Sequence, residues 1–234
     1  MSGFGYSPEI IERYPEVVGG VVVLRDVDNK PSPPEFLATY ESEQQTIKER
    51  LGDKSLSELE SISAWRRAFR EFGVEPTQYR CAAESLLRRL TKKGDIPSIN
   101  LLVDVGNLIS IRYGLPIAVM DTRHVEGDIL VKFADGSERY TELGDTEIKH
   151  PEVGEVIFAD DTGLVLARRW CWRQSEHSAA REDSQNVVVT IEAQHPGSYS
   201  TVQKAQAEFL ELVNQFTDAA CVAGIVDKQR PHMP

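Results

Sequence analysis

The spacing of apolar residues changes along the chain and divides it into a strand, a run of helices, a run of strands and a closing helix. Residues 17–24, VVGGVVVL, are β-branched and lie between Pro15 and Asp26, which predicts a buried strand. N29-K-P-S-P-P-E35 has no periodicity and reads as a loop, followed over 35–51 by a polar helix. In 57–72 the residues Leu59, Ile62, Trp65, Phe69 and Phe72 recur at helical spacing. Ser57 with Glu60 suggests a capping box, and Gly73 a C-cap. A second helix is predicted over about 78–93, stopping at Gly94. From Gly127 the pattern becomes β. G127–T142 predicts a hairpin on Asp135-Gly136, V153–R168 a strand pair turning at Asp161-Thr162-Gly163, and N186-V-V-V-T-I-E192 a further strand. Val202, Phe209, Leu212, Val213, Phe216 and Ala220 predict a C-terminal helix over about 200–224. Helices followed by strands give an α+β fold with a mostly antiparallel sheet and flanking helices, expected as one domain over 1–234.

The most apolar segment is P97-S-I-N-L-L-V-D-V-G-N-L-I-S-I-R-Y-G-L-P-I-A-V-M-D121. Positions 101–113 are apolar on nearly all sides, which predicts a helix buried all round, ended by Gly114 and followed by the extended IAVMD. Asp104 and Asn107 are polar exceptions inside it. A buried polar group left without a hydrogen bond costs about 1–3 kcal/mol. Each therefore either satisfies neighbouring backbone or presents a polar group to a ligand, and spacing alone does not choose.

Composition narrows the function classes. Of the 234 residues 41% are hydrophobic and 27% charged, the profile of a globular domain. No apolar run has the length of a membrane span. The opening MSGFGYSPEIIERYPEVV lacks the basic and apolar regions of a secretion signal. Cys81, Cys171 and Cys221 are few and widely spaced, which fits reduced thiols and a cytoplasmic setting. The five histidines show no metal-ligand spacing. There is no GxGxxG, P-loop or GxSxG, so neither a metal nor a nucleotide cofactor is expected.

The net charge is −11, yet residues 66–93 hold eight basic and three acidic side chains, a local +5. Arg66, Arg67, Arg70, Arg88, Arg89, Lys92 and Lys93 are candidates for a phosphate-binding patch, the alternative being two solvated helix faces. A second cluster, R168-R-W-C-W-R173, follows directly on a strand. It reads either as an edge strand with alternating tryptophans or as a pocket wall. In the second case Arg168, Arg169 and Arg173 offer forks for an anion, and Trp170 and Trp172 offer stacking faces.

The ordered motifs resemble the B3/B4 domain of the bacterial phenylalanyl-tRNA synthetase β subunit. V103-D-V-G-N-L-I with L115-P-I-A-V-M-D121 is similar to that family's V-D-V-T-N-Y helix and its Q-P-L-H-A-F-D. E126-G-D-I-L-V-K, V156-I-F-A-D-D and N186-V-V-V-T-I-E192 are similar to its K-G-x-I-x-V-R, V-I-A-D-D and N-I-L-L-E. The similarity runs over about 15–195 without the flanking synthetase modules, as in a free-standing B3/B4 protein.

In that family the domain hydrolyses tyrosine wrongly attached to tRNA. The resemblance therefore implies a pocket for the 3′ end of a misacylated tRNA and its amino acid. It implies Asn107 to orient the ester carbonyl and Glu192 to hold the α-ammonium or position water. The family's threonine is Gly106 here, its histidine Ala118 and its phenylalanine Met120; Asp121 is kept. Its Gly-rich segment is replaced by Arg168–Arg173. The expected lining is Asn107, Ala118, Met120, Arg168, Arg169, Trp170, Trp172, Arg173 and Glu192, with an arginine keeping Glu192 ionised. The implied function is trans-acting editing of misacylated tRNA. The alternative is a non-catalytic module for tRNA or an amino-acid-like molecule.

Overall fold

The computed structural model describes residues 2–234. In chain order the elements are β1 (Phe4–Tyr6), α1 (Pro8–Arg13), β2 (Val18–Arg25), α2 (Pro34–Leu51), α3 (Glu60–Glu71), α4 (Ala82–Lys93), α5 (Leu101–Tyr113) and β3 (Ile117–Asp121). There follow β4 (Ile129–Phe133), β5 (Tyr140–Thr141), β6 (Ile148–Lys149), β7 (Val156–Ala159), β8 (Val165–Arg168), β9 (Arg173–Gln174), β10 (Val187–Ala193), α6 (Tyr199–Phe216), β11 (Ala220–Val226) and β12 (His232–Met233). A six-stranded sheet runs β12-β1-β4-β7-β8-β9, and a four-stranded sheet runs β11-β2-β10-β3. Every pairing is antiparallel except β1 with β4, so the fold is α+β with mostly antiparallel sheets. Among the described residues no helix is long and apolar enough to cross a membrane.

Two adjacent glycines mark the two faces of the four-stranded sheet. A Cβ on Gly20 would meet Val202 and Gln206 of α6, whereas a Cβ on Gly19 would meet the Tyr6 hydroxyl of β1. One face is thus covered by helices and the other by the six-stranded sheet. Alternation along β2 and β10 then decides what each residue sees. Glu192 lies opposite Gly19 in register, so its side chain points toward the six-stranded sheet.

α5 is buried nearly all round, as its composition predicts. Its cap is Asn100, whose side chain accepts from the Val103 amide, and Gly114 closes it at φ 67°. Asp104 is fully buried and accepts hydrogen bonds from the Ser32 and Ser98 hydroxyls and the Ile99 amide. It ties the helix to the loops before α2 and before α5. Gly106 has a steric reason too, because a Cβ there would sit 3.2 Å from Val119 of β3.

Four expectations need correction. The capping box at Ser57 does not form: a short 3₁₀ turn covers Leu56–Glu58, and α3 starts after Leu59 with no side-chain cap. Residues 127–142 are not a hairpin, because β4 pairs with β1 and β7. Buried Glu138 turns the chain inward there, accepting from the Asp135 and Gly136 amides and pairing with Lys132 at 2.7 Å. The stretch after Arg168 is not a continuing strand but a tight reversal between β8 and β9. The last helix stops at Phe216, and its presumed final turns are strand β11.

Candidate functional site

The reversal after β8 builds the site. Arg169 and Trp170 take φ of 46° and 59°, a left-handed conformation that costs non-glycine residues free energy and persists only where the surroundings hold it. The Trp170 amide donates to the Val156 carbonyl at 2.6 Å. Its indole is enclosed by Tyr14, Trp65 and Phe72, with ring centroids 5.0, 5.2 and 6.4 Å away. Packing fixes the ring so that Nε1 donates to Glu192 Oε1 at 3.0 Å. The Tyr6 hydroxyl donates to the same oxygen at 2.8 Å. Tyr6 comes this close because residue 19 is glycine: a Cβ there would be 2.5 Å from the hydroxyl.

The Glu192 carboxyl lines a cavity of about 250 Å³ together with Ala82, Pro116, Ile117, Ala118, Leu143, Phe158, Ala167, Trp170–Gln174 and no other carboxylate. Both donors are spent on Oε1, and among the described residues none is placed on Oε2. Burial pushes the carboxyl from 4.5 to about 7, against the lowering effect of the Trp170 and Tyr6 hydrogen bonds. Burial with the neighbouring carboxylate raises the Tyr6 phenol well above its ordinary range, so it remains a donor. Thr190 lies two residues earlier on the same strand face, and its buried hydroxyl has no partner. The site is an aromatic and aliphatic pocket with one strongly placed carboxyl at its floor. Such a pocket suits an apolar or aromatic group that carries one polar atom.

Of the residues expected to line the pocket, Ala118, Trp170, Trp172, Arg173 and Glu192 do so. Asn107 does not. It is half-buried on α5 beside the Tyr40 hydroxyl of α2. Met120 is fully buried, covered where Ala179 bridges to it. Arg168 is a closed ion pair, bonding Glu155 through Nε at 2.8 Å and Nη2 at 2.6 Å. Arg169 is buried with its guanidinium between the Tyr79 and Trp172 rings, 3.9 and 4.6 Å from the centroids. Arg173 stacks on Trp172 at 4.7 Å and pairs with Glu142 at the rim. No arginine reaches Glu192, so burial and not a cation sets its protonation. Asp121 ends β3, where it holds Arg123 at 2.7 Å and accepts from Ser184, outside this cavity.

Sequence reasoning missed Tyr6, Gly19, Pro116, Cys171 and Gln174. The one legible signal among them was the Gly-Gly pair inside a β-branched strand, which marks close backbone approach.

A separate, mainly basic groove of about 460 Å³ is lined by Asp53, Lys54, Ser55, Ser57, Arg66, Arg80, Glu84, Arg88, Thr91 and Lys92, among others. Of the expected patch it gathers Arg66, Arg88 and Lys92 and adds Arg80 and Lys54. Arg67, Arg70, Arg89 and Lys93 are exposed elsewhere on α3 and α4. Glu84 partly neutralises the groove, pairing with Arg66 at 2.6 Å and Arg80 at 3.6 Å, and burial raises its carboxyl. The free cations are therefore Arg88, Lys92 and Lys54. Arg80, which lines the groove, and Ala82, which lines the cavity, lie two positions apart at the start of α4. No group of three or more potential metal ligands converges among the described residues.

The B3/4 domain family model matches residues 64–215. The phenylalanine–tRNA ligase beta subunit of Shewanella oneidensis is 26% identical over 116 residues, half of this chain and 14% of that relative. The corresponding subunit of Cutibacterium acnes is 35% identical over 77 residues, 33% of this chain and 9% of the relative. The chain thus spans a small fraction of the length of these relatives. A crystal structure of an N-terminal fragment of the phenylalanyl-tRNA synthetase beta subunit from Pyrococcus horikoshii aligns with 93% of this chain and 49% of its own, at 11% identity and a TM-score of 0.47.

Proposed function

The chain belongs to the B3/4 domain family, and on that premise we propose that it acts on tRNA, hydrolysing the ester of a misacylated tRNA whose amino-acid side enters the Glu192 cavity. The observation that carries this reading is the carboxyl itself, buried at the floor of an apolar pocket with Oε1 held by two donors. In its ionised form, Oε2 accepts a hydrogen bond from the attacking water or from the substrate's α-ammonium. Its value of about 7 suits a group that must take and return a proton near neutral pH. The acceptor strand lies in the basic groove, its phosphates on Arg88, Lys92 and Lys54. Trp172 and Arg173 at the cavity rim meet the terminal nucleotide, since aromatic and guanidinium planes both stack on bases.

A second reading is a binding module without hydrolysis. It is favoured by the position of Asn107 away from the cavity and by the closed Arg168–Glu155 pair, which withdraw the amide expected to orient the ester carbonyl and one of the expected anion-binding forks. One screen separates the two: a panel of mischarged tRNAs incubated with wild type, alongside binding measured against salt. Editing requires at least one ester to be cleaved faster than without protein. Binding with no cleavage of any member selects the module. An absence of salt-dependent binding, unchanged in Arg88→Glu/Lys92→Glu, removes tRNA from both.

A further inference from the structure

A cavity of about 410 Å³ lies where the last turns of α2 and α5 meet the first turns of α3 and α6. Leu51, Leu59, Leu87 and Ile111 give it apolar walls. The carbonyls that end α5 are already taken, since Arg50 Nη2 donates to Arg112 at 2.8 Å and to Ile111 at 3.4 Å. α3 starts here without a side-chain cap, and its Glu60, Ser61 and Ile62 amides have no acceptor among the described residues. Ser61 and His195 both line the cavity, both are 8% exposed, and neither side chain makes a hydrogen bond among the described residues. The Ser61 hydroxyl is not enclosed by protein, so the open part of this buried side chain faces the cavity. His195 Nδ1 is enclosed without a partner. A buried N–H with no acceptor is costlier than a bare ring nitrogen, which assigns the proton to Nε2, the open nitrogen. Burial lowers the imidazole pKa against the opposing effect of Glu60, so the ring is neutral and keeps this one donor.

We propose that this cavity binds a small organic acid, its carboxylate on Ser61 Oγ, His195 Nε2 and the first amides of α3, its apolar body against Leu51, Leu59, Leu87 and Ile111. Every unsatisfied group inside is a donor, and the positive end of the α3 dipole adds to them. A singly charged carboxylate fits better than a phosphate. Arg112 is held by Glu43 and Glu208, and Arg50 by the α5 carbonyls, so Lys54 is the one cation of the lining without a bonded partner. One charge set against apolar walls suits a ligand with one charge and an apolar body. Glu60, exposed at the rim, is the one carboxylate of the lining. It faces the place where an α-ammonium of the ligand sits, so the same chemistry is supplied by an apolar α-amino acid or by a plain carboxylic acid.

Heteronuclear NMR titration of the full chain with leucine, hexanoate, leucinamide, hexanol and inorganic phosphate tests this. Leucine or hexanoate should saturate, moving the Glu60, Ser61 and Ile62 amides and the His195 ring nitrogens together. Leucinamide and hexanol lack the carboxylate and phosphate lacks the apolar body, so each should bind about tenfold more weakly or not at all. Tighter binding of leucine than of hexanoate, lost in Glu60→Gln, identifies an amino acid; hexanoate binding as tightly or more so identifies a plain acid. Ser61→Ala should raise the dissociation constant about tenfold with unchanged circular dichroism. Lys54→Met, at an exposed position, should raise it about threefold and keeps the test open if Ser61→Ala disturbs α3. The proposal is overturned if neither carboxylate binds, if the shifts fall elsewhere, if hexanol or phosphate binds as tightly, or if folded Ser61→Ala and Lys54→Met both bind like wild type. None of these readouts uses tRNA, so they stand apart from the ester-cleavage reading.

Discussion

The protonation of Glu192 can be read without any substrate, through its effect on stability. Its carboxyl is raised by burial from 4.5 to about 7 in the folded chain. Between these values the folded chain holds a proton that the unfolded chain has released, so folding binds a proton there. The sign follows: this stabilisation is fully present below about 4.5, declines as pH rises through that window, and is gone above about 7. Each unit of separation is worth about 1.36 kcal/mol, so the span corresponds to roughly 3 kcal/mol. The group is fully buried, so solvent screening takes little from this figure. Glu192→Gln keeps the shape and an acceptor for the Tyr6 hydroxyl and the Trp170 indole, but it cannot titrate. Urea unfolding of wild type and variant at pH 4.5, 5.5, 6.5 and 8 cancels every other ionisable group in the difference. The variant should gain on wild type steadily as pH rises, by roughly 3 kcal/mol over the range. Parallel stability curves would refute the argument, because the carboxyl would then be ionised in the fold at acidic pH.

Gly19→Ala should displace the Tyr6 hydroxyl and cost at least the 1–3 kcal/mol typical of a lost buried hydrogen bond. Combining it with Tyr6→Phe should cost clearly less than the sum in chemical denaturation, since both remove one contact. Asp104→Ala strands the Ser32 and Ser98 hydroxyls and the Ile99 amide, and should lower stability by about 3 kcal/mol or more. Asn107→Leu should leave the Glu192-dependent pH slope unchanged, because Asn107 lies outside the cavity. Arg88→Glu/Lys92→Glu should weaken tRNA binding and reduce the slope of log K against log salt by about 2, read by filter binding across salt concentrations.

Much of the fold was legible because its elements are written in local patterns. The β-branched run of β2, the glycine after α4 and the glycine after α5 each act within a few residues, and each appears where periodicity placed it. The misreadings involve competition from further along the chain. Asp135-Gly136 carries the turn chemistry of a hairpin, but Glu138 is drawn inward to Lys132 and the local amides, and β4 finds β1 and β7 instead. Ala220 continues the helical spacing of α6, yet β2 offers 220–226 a full row of backbone partners.

The site shows the same division. Glu192 was marked by the resemblance of N186-V-V-V-T-I-E192 to the family's N-I-L-L-E strand. Tyr6, 186 positions away, was not, because only the pairing of β1 with its neighbours and the gap at Gly19 bring it there. Asn107 shows the converse: a matching motif gives a position on a helix, but the rotation of that helix decides what the side chain meets. Gly106 is turned toward β3, which turns Asn107 away.

The central claim is that the Glu192 carboxyl acts in ester cleavage. It is tested most directly by single-turnover deacylation of the mischarged tRNA that the protein cleaves fastest, comparing wild type with Glu192→Gln from pH 5.5 to 8.5. The wild-type rate, corrected for spontaneous hydrolysis, should rise with pH and level off above about 7, as the carboxyl ionises. Glu192→Gln should be slower by about 10²-fold, corresponding to roughly 2.7 kcal/mol of transition-state stabilisation, with no inflection near that pH. Equal rates for the two proteins, or a wild-type profile without the inflection, would contradict it.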